Sequence, residues 1–250
     1  MKKLVLPMLC LMLFGASPIL AQQHEKIFDV EHFDKVIISP HIQATLIEGD
    51  EESVHIDYAN VSEDEINVEV EGNTLRVYLE GAKTLDRNER KYDEAYHKSR
   101  AHYEGAQVKA IITYTNLEVL SVRGEKRIDC ESKIDQKDFT LRIYGESQVY
   151  LSEVDLEKLK VTIYGESYLE VEKGTVDYQR YTAYGESKVN TMSVTNSAAK
   201  ITAYGESDFR VNVSDKLKVT CYGETHITYE GSPEVDRGIV IGEATIRKIG

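Results

Sequence analysis

An all-β chain wound into a parallel β-helix or β-roll, with turns of about 20 residues behind an N-terminal β cap, is the fold this sequence predicts. The first observation is a repeat. Tyr-Gly-Glu-Ser occurs at Tyr144–Ser147, Tyr164–Ser167, Tyr184–Ser187 and Tyr204–Ser207, each 20 residues after the last, and Tyr222-Gly223-Glu224-Thr225 follows after 18. Degenerate copies, Arg123-Gly124-Glu125 and Ile241-Gly242-Glu243, flank the run and bring the turns to about seven. The second is a pair of apolar columns. Two positions before each glycine stand Val122, Ile143, Ile163, Ala183, Ala203, Cys221 and Val240; four after it stand Ile128, Val149, Leu169, Val189, Phe209, Ile227 and Ile246. The third is alternation: Arg142, Thr162, Thr182, Thr202 and Thr220 sit three before the glycine, so polar and apolar residues follow the period of two that marks a strand with one buried face. A 20-residue unit is too short to bury its own apolar face, so it must stack on its neighbours.

Taken in chain order, residues 1–21 come first. Lys2 and Lys3 precede an apolar run from Leu4 to Phe14 and a small-residue exit ending at Ala21, the pattern of a secretory signal peptide. The run is shorter than the roughly 20 residues a membrane helix needs, and no second apolar stretch is long enough to span a bilayer. An exported protein of the periplasm, outer surface or extracellular space is expected. The chain carries a formal net charge of −13, and loss of Lys2 and Lys3 makes it more negative. Such acidity excludes the basic patches that nucleic acid and anionic membranes attract.

Residues 22–107 form the expected cap, made of irregular or antiparallel strands. Lys35–Ser39, Ile42–Ile47, Ser53–Tyr58 and Ile66–Leu79 alternate, with Glu71-Gly72-Asn73-Thr74 as a hairpin turn in the last. Residues 82–107 read as a charged surface insertion. Residues 108–250 form the solenoid, in which each unit is a strand, a Gly-Glu-Ser corner, a strand and a looser polar return such as Glu153–Lys158, Glu172–Asp177 or Asn190–Asn196. Glycine suits the corner because it adopts positive φ and permits close backbone approach. Arg247 and Lys248 discourage pairing of the final strand with another chain. Cys130 and Cys221 lie four to five turns apart, about 20 Å at strand spacing, beyond the ~7 Å reach of a disulfide. Both are expected to be buried free thiols.

Stacking turns equivalent residues into ladders. Tyr144, Tyr164, Tyr184, Tyr204 and Tyr222 form one, either a stabilising aromatic stack or a strip that binds sugar rings or a partner. Glu146, Glu166, Glu186, Glu206 and Glu224 form the other, with Glu125 and Glu243 at its ends. Unit charges at strand spacing repel by roughly 0.9 kcal/mol in water, so solvent, basic neighbours such as Lys126 and Lys188, or bound Ca2+ must offset them. The glycine- and aspartate-rich calcium β-roll nonapeptide is absent. Glycoside hydrolysis needs two carboxyl groups about 5–9 Å apart, a spacing that every pair in the column meets and that therefore singles out none. His97 and His102 are five apart, not the i, i+4 of a helical metal pair. No catalytic or metal-ligating residue is assigned.

The opening Phe33-Asp34-Lys35-Val36-Ile37-Ile38, the strand Thr113-Tyr114-Thr115-Asn116-Leu117-Glu118-Val119-Leu120 and corners such as Gly185-Glu186-Ser187-Lys188-Val189 resemble the head GIN domains of putative auto-transporter adhesins, a family of secreted and envelope proteins of Bacteroidota. The resemblance covers roughly residues 30–249. It implies a right-handed parallel β-helix and a role in adhesion or surface binding. The sequence departs from the family at the corner, which carries Glu where small residues are usual, and in its long insertion at 81–107. The family name implies self-secretion through a C-terminal membrane barrel; no such segment is expected here. The resulting expectation is a non-enzymatic binding or adhesion-type protein whose Tyr and Glu ladders meet a polysaccharide or cell-surface component. The alternatives are a β-helix polysaccharide lyase or glycosidase, and a structural module that assembles into homo-oligomers.

Overall fold

The computed structural model describes residues 25–82 and 103–250; the signal segment 1–21, most of the 82–107 insertion and both His97 and His102 lie outside the described residues. The strands are β1 (Lys26–Asp29), β2 (Lys35–Ile38), β3 (Ile42–Glu48), β4 (Ser53–Ala59), β5 (Ile66–Glu71), β6 (Thr74–Leu79), β7 (Val108–Tyr114), β8 (Val119–Gly124), β9 (Arg127–Gly145), β10 (Gln148–Gly165), β11 (Tyr168–Val171), β12 (Gly174–Tyr184), β13 (Ser187–Glu230) and β14 (Glu234–Lys248). They build a β-solenoid of about 6 turns.

Successive turns pair in parallel and in register. Tyr144 and Gly145 lie beside Tyr164 and Gly165, Tyr164 beside Tyr184, Tyr184 beside Tyr204, and Gly223 and Glu224 beside Gly242 and Glu243. Both apolar columns face inward and are buried from Val122 and Ile128 to Cys221 and Ile227. Cys130 and Cys221 are free and buried, and burial pushes the Cys130 thiol up to about 12.

Two expectations need correction. The returns are not loose. β10 runs without interruption through Glu153–Lys158, where Val154 and Leu156 point inward and Glu153, Asp155 and Glu157 do not. The Glu153–Lys158 and Asn190–Asn196 returns are third strand runs with their own outward polar faces, while the Glu172–Asp177 return breaks at Glu172 and Lys173 before β12 resumes the strand. The chain reaches the first of them through a register irregularity between Leu151 and Glu153 rather than through a loop.

Nor is the N-terminal region wholly irregular or antiparallel. β4 is antiparallel to β1 and β7, and β5 and β6 form the expected hairpin. But β2 lies parallel between β6 and β8, and β3 lies parallel between β7 and β9. Counting along these registers places Ser39, Pro40 and His41 beneath Arg123, Gly124 and Glu125. Residues 35–48 are thus an extra solenoid turn whose corner lacks the Tyr-Gly-Glu spelling. His41 has φ 74°, a left-handed backbone uncommon for a residue with a side chain. The turn below, made of β6 and β7, carries the charged insertion where its corner would be.

At the other end, among the described residues, β14 pairs only β13, and Ile239, Val240 and Ile241 are exposed by 57%, 39% and 62%. The interior also holds one polar cluster. The Tyr181 hydroxyl donates to Gln179 Oε1 at 3.0 Å and lies 3.2 Å from Thr191 Oγ1, while Asn196 Nδ2 donates to Gln179 Oε1 at 3.2 Å and to the Asn212 carbonyl.

Candidate binding edge

The corner directs its three distinctive side chains to different places. Glycine φ values of 105° to 111° at Gly145, Gly165, Gly185 and Gly205 fold the chain so tightly that each glycine lies against the backbone of the one before it. The residue after the glutamate then faces inward: Ser147, Ser167 and Ser187 are buried and donate to the carbonyls of Gly124, Gly145 and Gly165 at 2.9, 3.0 and 3.4 Å. This ties each corner to the turn before it.

Tyrosines on one side of the corner form the continuous stack expected of them. Centroid separations from Tyr144 through Tyr222 are 5.2, 4.6, 4.8 and 4.8 Å, with planes within 3–4°. The guanidinium of Arg123 sits 4.7 Å from the Tyr144 ring centre and closes that end. Ring faces are therefore taken by ring faces, and a sugar cannot lie flat on an interior tyrosine; what the ladder offers is ring edges and hydroxyls. Each stacked pair contributes about 0.5–1.5 kcal/mol beyond its burial. Tyr184→Ala, which removes two pairs, is expected to cost about 1–3 kcal/mol in chemical denaturation. Tyr144→Ala, which removes one ring pair, should cost less unless the loss of the Arg123 contact makes up the difference.

On the other side of the corner the glutamates line a groove. It encloses about 470 Å³, with Glu146, Glu166, Glu186, Glu206 and Glu224 along one wall and Gln148, Tyr168, Lys188, Asp208 and His226 along the other. The second wall stands three residues after each glycine and has no repeated identity, so the sequence pattern did not mark it. Among the described residues the side chains of Glu146, Glu166, Glu186 and Glu206 make no ion pair or hydrogen bond. Glu224 meets His226 at 3.3 Å. The carboxylates run in a line rather than converging, and no cluster of three or more His, Cys, Asp or Glu among the described residues is placed to hold a metal ion.

The column ends in a different environment. Glu125 accepts from Nδ1 of buried His41 at 3.2 Å and pairs with Lys126 at 3.2 Å. Burial raises the Glu125 pKa, but the His41 hydrogen bond and charge and the Lys126 ammonium outweigh it, leaving the carboxyl below 4.5. A lowered folded-state pKa means that this carboxylate stabilises the fold above its unfolded value and stops doing so as pH falls through the folded one. Glu125→Gln should lower stability by about 1 kcal/mol at neutral pH. In urea melts across a pH series, the gap between variant and parent should close below pH 4.5.

The described strands define a parallel β-solenoid with in-register ladders along one edge. The chain is a member of the family described as putative auto-transporter adhesin, head GIN domain, whose sequence profile matches residues 32–233. Its fold is similar to the crystal structure of a putative adhesin from Bacteroides fragilis NCTC 9343, with TM-score 0.76 and 19% identity over 91% of this chain and 97% of that one. A putative adhesin from Parabacteroides merdae ATCC 43184 gives TM-score 0.65 at 16% identity, covering 92% and 98% of the two chains. A putative lipid binding protein from Parabacteroides distasonis ATCC 8503 gives TM-score 0.64 at 17% identity, also covering 92% and 98%. No curated protein matches in sequence. The family points to an extracellular or surface protein, and no helix among the described residues is long and apolar enough to cross a membrane.

Proposed function

We propose that this chain is an exported binding protein of adhesin type whose recognition edge is the acidic groove, flanked by the hydroxyl side of the tyrosine ladder, and whose ligand is a repetitive envelope or surface polymer such as a polysaccharide. The observation that carries this reading is the groove: one carboxylate per turn, unpaired at four successive turns, on a scaffold that fixes the spacing. Unpaired like charges held in a row are a cost that a structural edge does not need, and a long repeating site favours many weak contacts over one deep one. The signal-like residues 1–21 support export.

A binding screen of the chain against envelope glycans and surface proteins, with and without calcium, tests the reading. Ligands lost on Glu166→Gln/Glu186→Gln support it. A ligand indifferent to every groove substitution would move the site elsewhere.

The β14 end favours a second reading, assembly with another copy of this chain. Arg247 and Lys248 discourage a parallel copy, but β14 also carries Glu234 and Asp236 toward its start, so an antiparallel copy sets opposite charges face to face around the exposed isoleucines. Light scattering should then show a dimer that Ile241→Lys converts to monomer.

A further inference from the structure

We infer that the sheet face leading into the corners is a second binding surface, which takes a linear acidic polysaccharide along the basic column Lys160, Arg180 and Lys200. It lies across the tyrosine ladder from the groove and does not depend on the groove being a site.

Register builds this face. Its outward positions stand one, three, five and seven residues before each glycine, and they alternate with buried ones such as Leu159, Val161 and Ile163 of β10. Five before the glycine, Lys160 lies beside Arg180, and Arg180 beside Lys200. Three before it, Thr162, Thr182 and Thr202 form a second column, with Arg142 at its foot. From β10 to the second pass of β13, no Asp or Glu occupies any of these positions, while Lys158, Lys216 and Lys218 bring the basic residues to six. In a chain with 43 acidic and 30 basic residues, that is a segregated face.

Two observations point to a ligand. Among the described residues, Lys160, Arg180 and Lys200 make no ion pair or hydrogen bond. Like charges directly opposite one another in a sheet destabilise it, and the acids nearest in register stand only at the borders. Asp138 lies beside Lys158, and Asp236 accepts from Lys218 at 2.9 Å. The second observation is the neighbouring column. Thr162, Thr182 and Thr202 are only half-buried, and among the described residues their hydroxyls bond nothing. A hydroxyl both donates and accepts, as sugar hydroxyls require. Cations and hydroxyls in adjacent rows suit a polymer that carries acid and hydroxyl groups together.

The same features argue against other polyanions. Tyrosine rings stack on one another, so their faces are closed to nucleic acid bases. A duplex, with one charge per ~1.7 Å, is also repelled by a chain of net charge −13. An anionic membrane needs apolar side chains to bury beside the charges; here threonines and stacked tyrosines fill that place. A flat face without a pocket gains most from a polymer, whose weak contacts add from turn to turn.

The test is fluorescence anisotropy of the full chain at low salt with four fluorescein-labelled probes. They are hexagalacturonate, its full methyl ester, a sulfated dextran and the unsulfated dextran of the same length. At least one acidic chain is expected to bind about tenfold or more tightly than its neutral parent, and which one does so tells carboxylate from sulfate. Lys160→Gln/Arg180→Gln/Lys200→Gln should weaken binding at least about tenfold, and Thr182→Val/Thr202→Val by a few-fold. Glu166→Gln/Glu186→Gln should leave binding unchanged or tighten it, which separates this face from the groove. Raising salt from ~50 to ~500 mM should largely abolish it. Circular dichroism checks that each variant is folded. Equal binding of acidic and neutral chains, or indifference to the triple variant, overturns the inference. Tighter binding of a thymidine 20-mer overturns it in favour of nucleic acid. Failure of both acidic chains overturns it as well; a dimer in light scattering that the triple variant dissolves would then give the face to a second copy's glutamates.

Discussion

Gly165→Ala is expected to destabilise the solenoid by about 3–5 kcal/mol, enough to threaten folding. Gly165 has φ 111°, where a side chain is strained, and a Cβ there would press into the carbonyl oxygen of Gly145. That oxygen belongs to the backbone of the previous turn and already accepts from Ser167, so relieving the contact means parting two turns along the ladder. Gly185 provides the control. Its φ is 106°, but a Cβ there would stand 3.0 Å from the Gly165 oxygen. Gly185→Ala should therefore cost about 1–3 kcal/mol, mostly backbone strain. Urea midpoints for the two variants separate the contributions. Equal losses would show that φ alone makes the corner a glycine. Because each turn touches only its neighbours, the Gly165 variant is also expected to broaden the transition.

The second large effect lies inside the solenoid. Tyr181→Ala is expected to cost about 3–5 kcal/mol, the range for emptying a buried aromatic site. Tyr181 is fully buried against Phe209, with ring centres 5.7 Å apart. Its hydroxyl bonds Gln179 Oε1 and lies within hydrogen-bond reach of Thr191 Oγ1, so Tyr181→Phe should cost about 1–2 kcal/mol through lost polar contacts with the ring packing kept. Thermal melts of the two variants partition packing from polar satisfaction. A Phe variant as stable as the parent would mean that Asn196 and Thr191 suffice for Gln179.

These two predictions also mark how far the sequence could be read. The corner was legible because from Gly124 to Gly242 it keeps glycine at a positive φ with Glu after it, and Tyr precedes the glycine at five successive turns. The aromatic stack followed from the spacing. The extra turn at residues 35–48 was not legible, because Ser39, Pro40 and His41 occupy the corner with different chemistry, and only strand pairing shows the register. The returns were misread for another reason. Glu153, Asp155 and Glu157 look like a loop until Val154 and Leu156 between them are seen to face inward, as a short third face requires. The groove escaped because its second wall is conserved in position and not in type, running Gln148, Tyr168, Lys188, Asp208, His226. Ser207 could not be told from Ser187 by sequence at all; the two differ in a hydrogen bond.

The 18-residue step from Gly205 to Gly223 shows what the architecture tolerates. Phe209 still follows its corner by four residues and Cys221 still precedes the next by two, so the missing pair comes out of the return, and tyrosine, glycine and glutamate stay aligned. Variation in unit length is absorbed on the side of the rod away from the ladders. Gene duplication or loss of a single unit would lengthen or shorten the acidic row by one carboxylate without re-engineering any other residue. On the proposed binding edge, valency would then be inherited as a count of turns, one unit at a time.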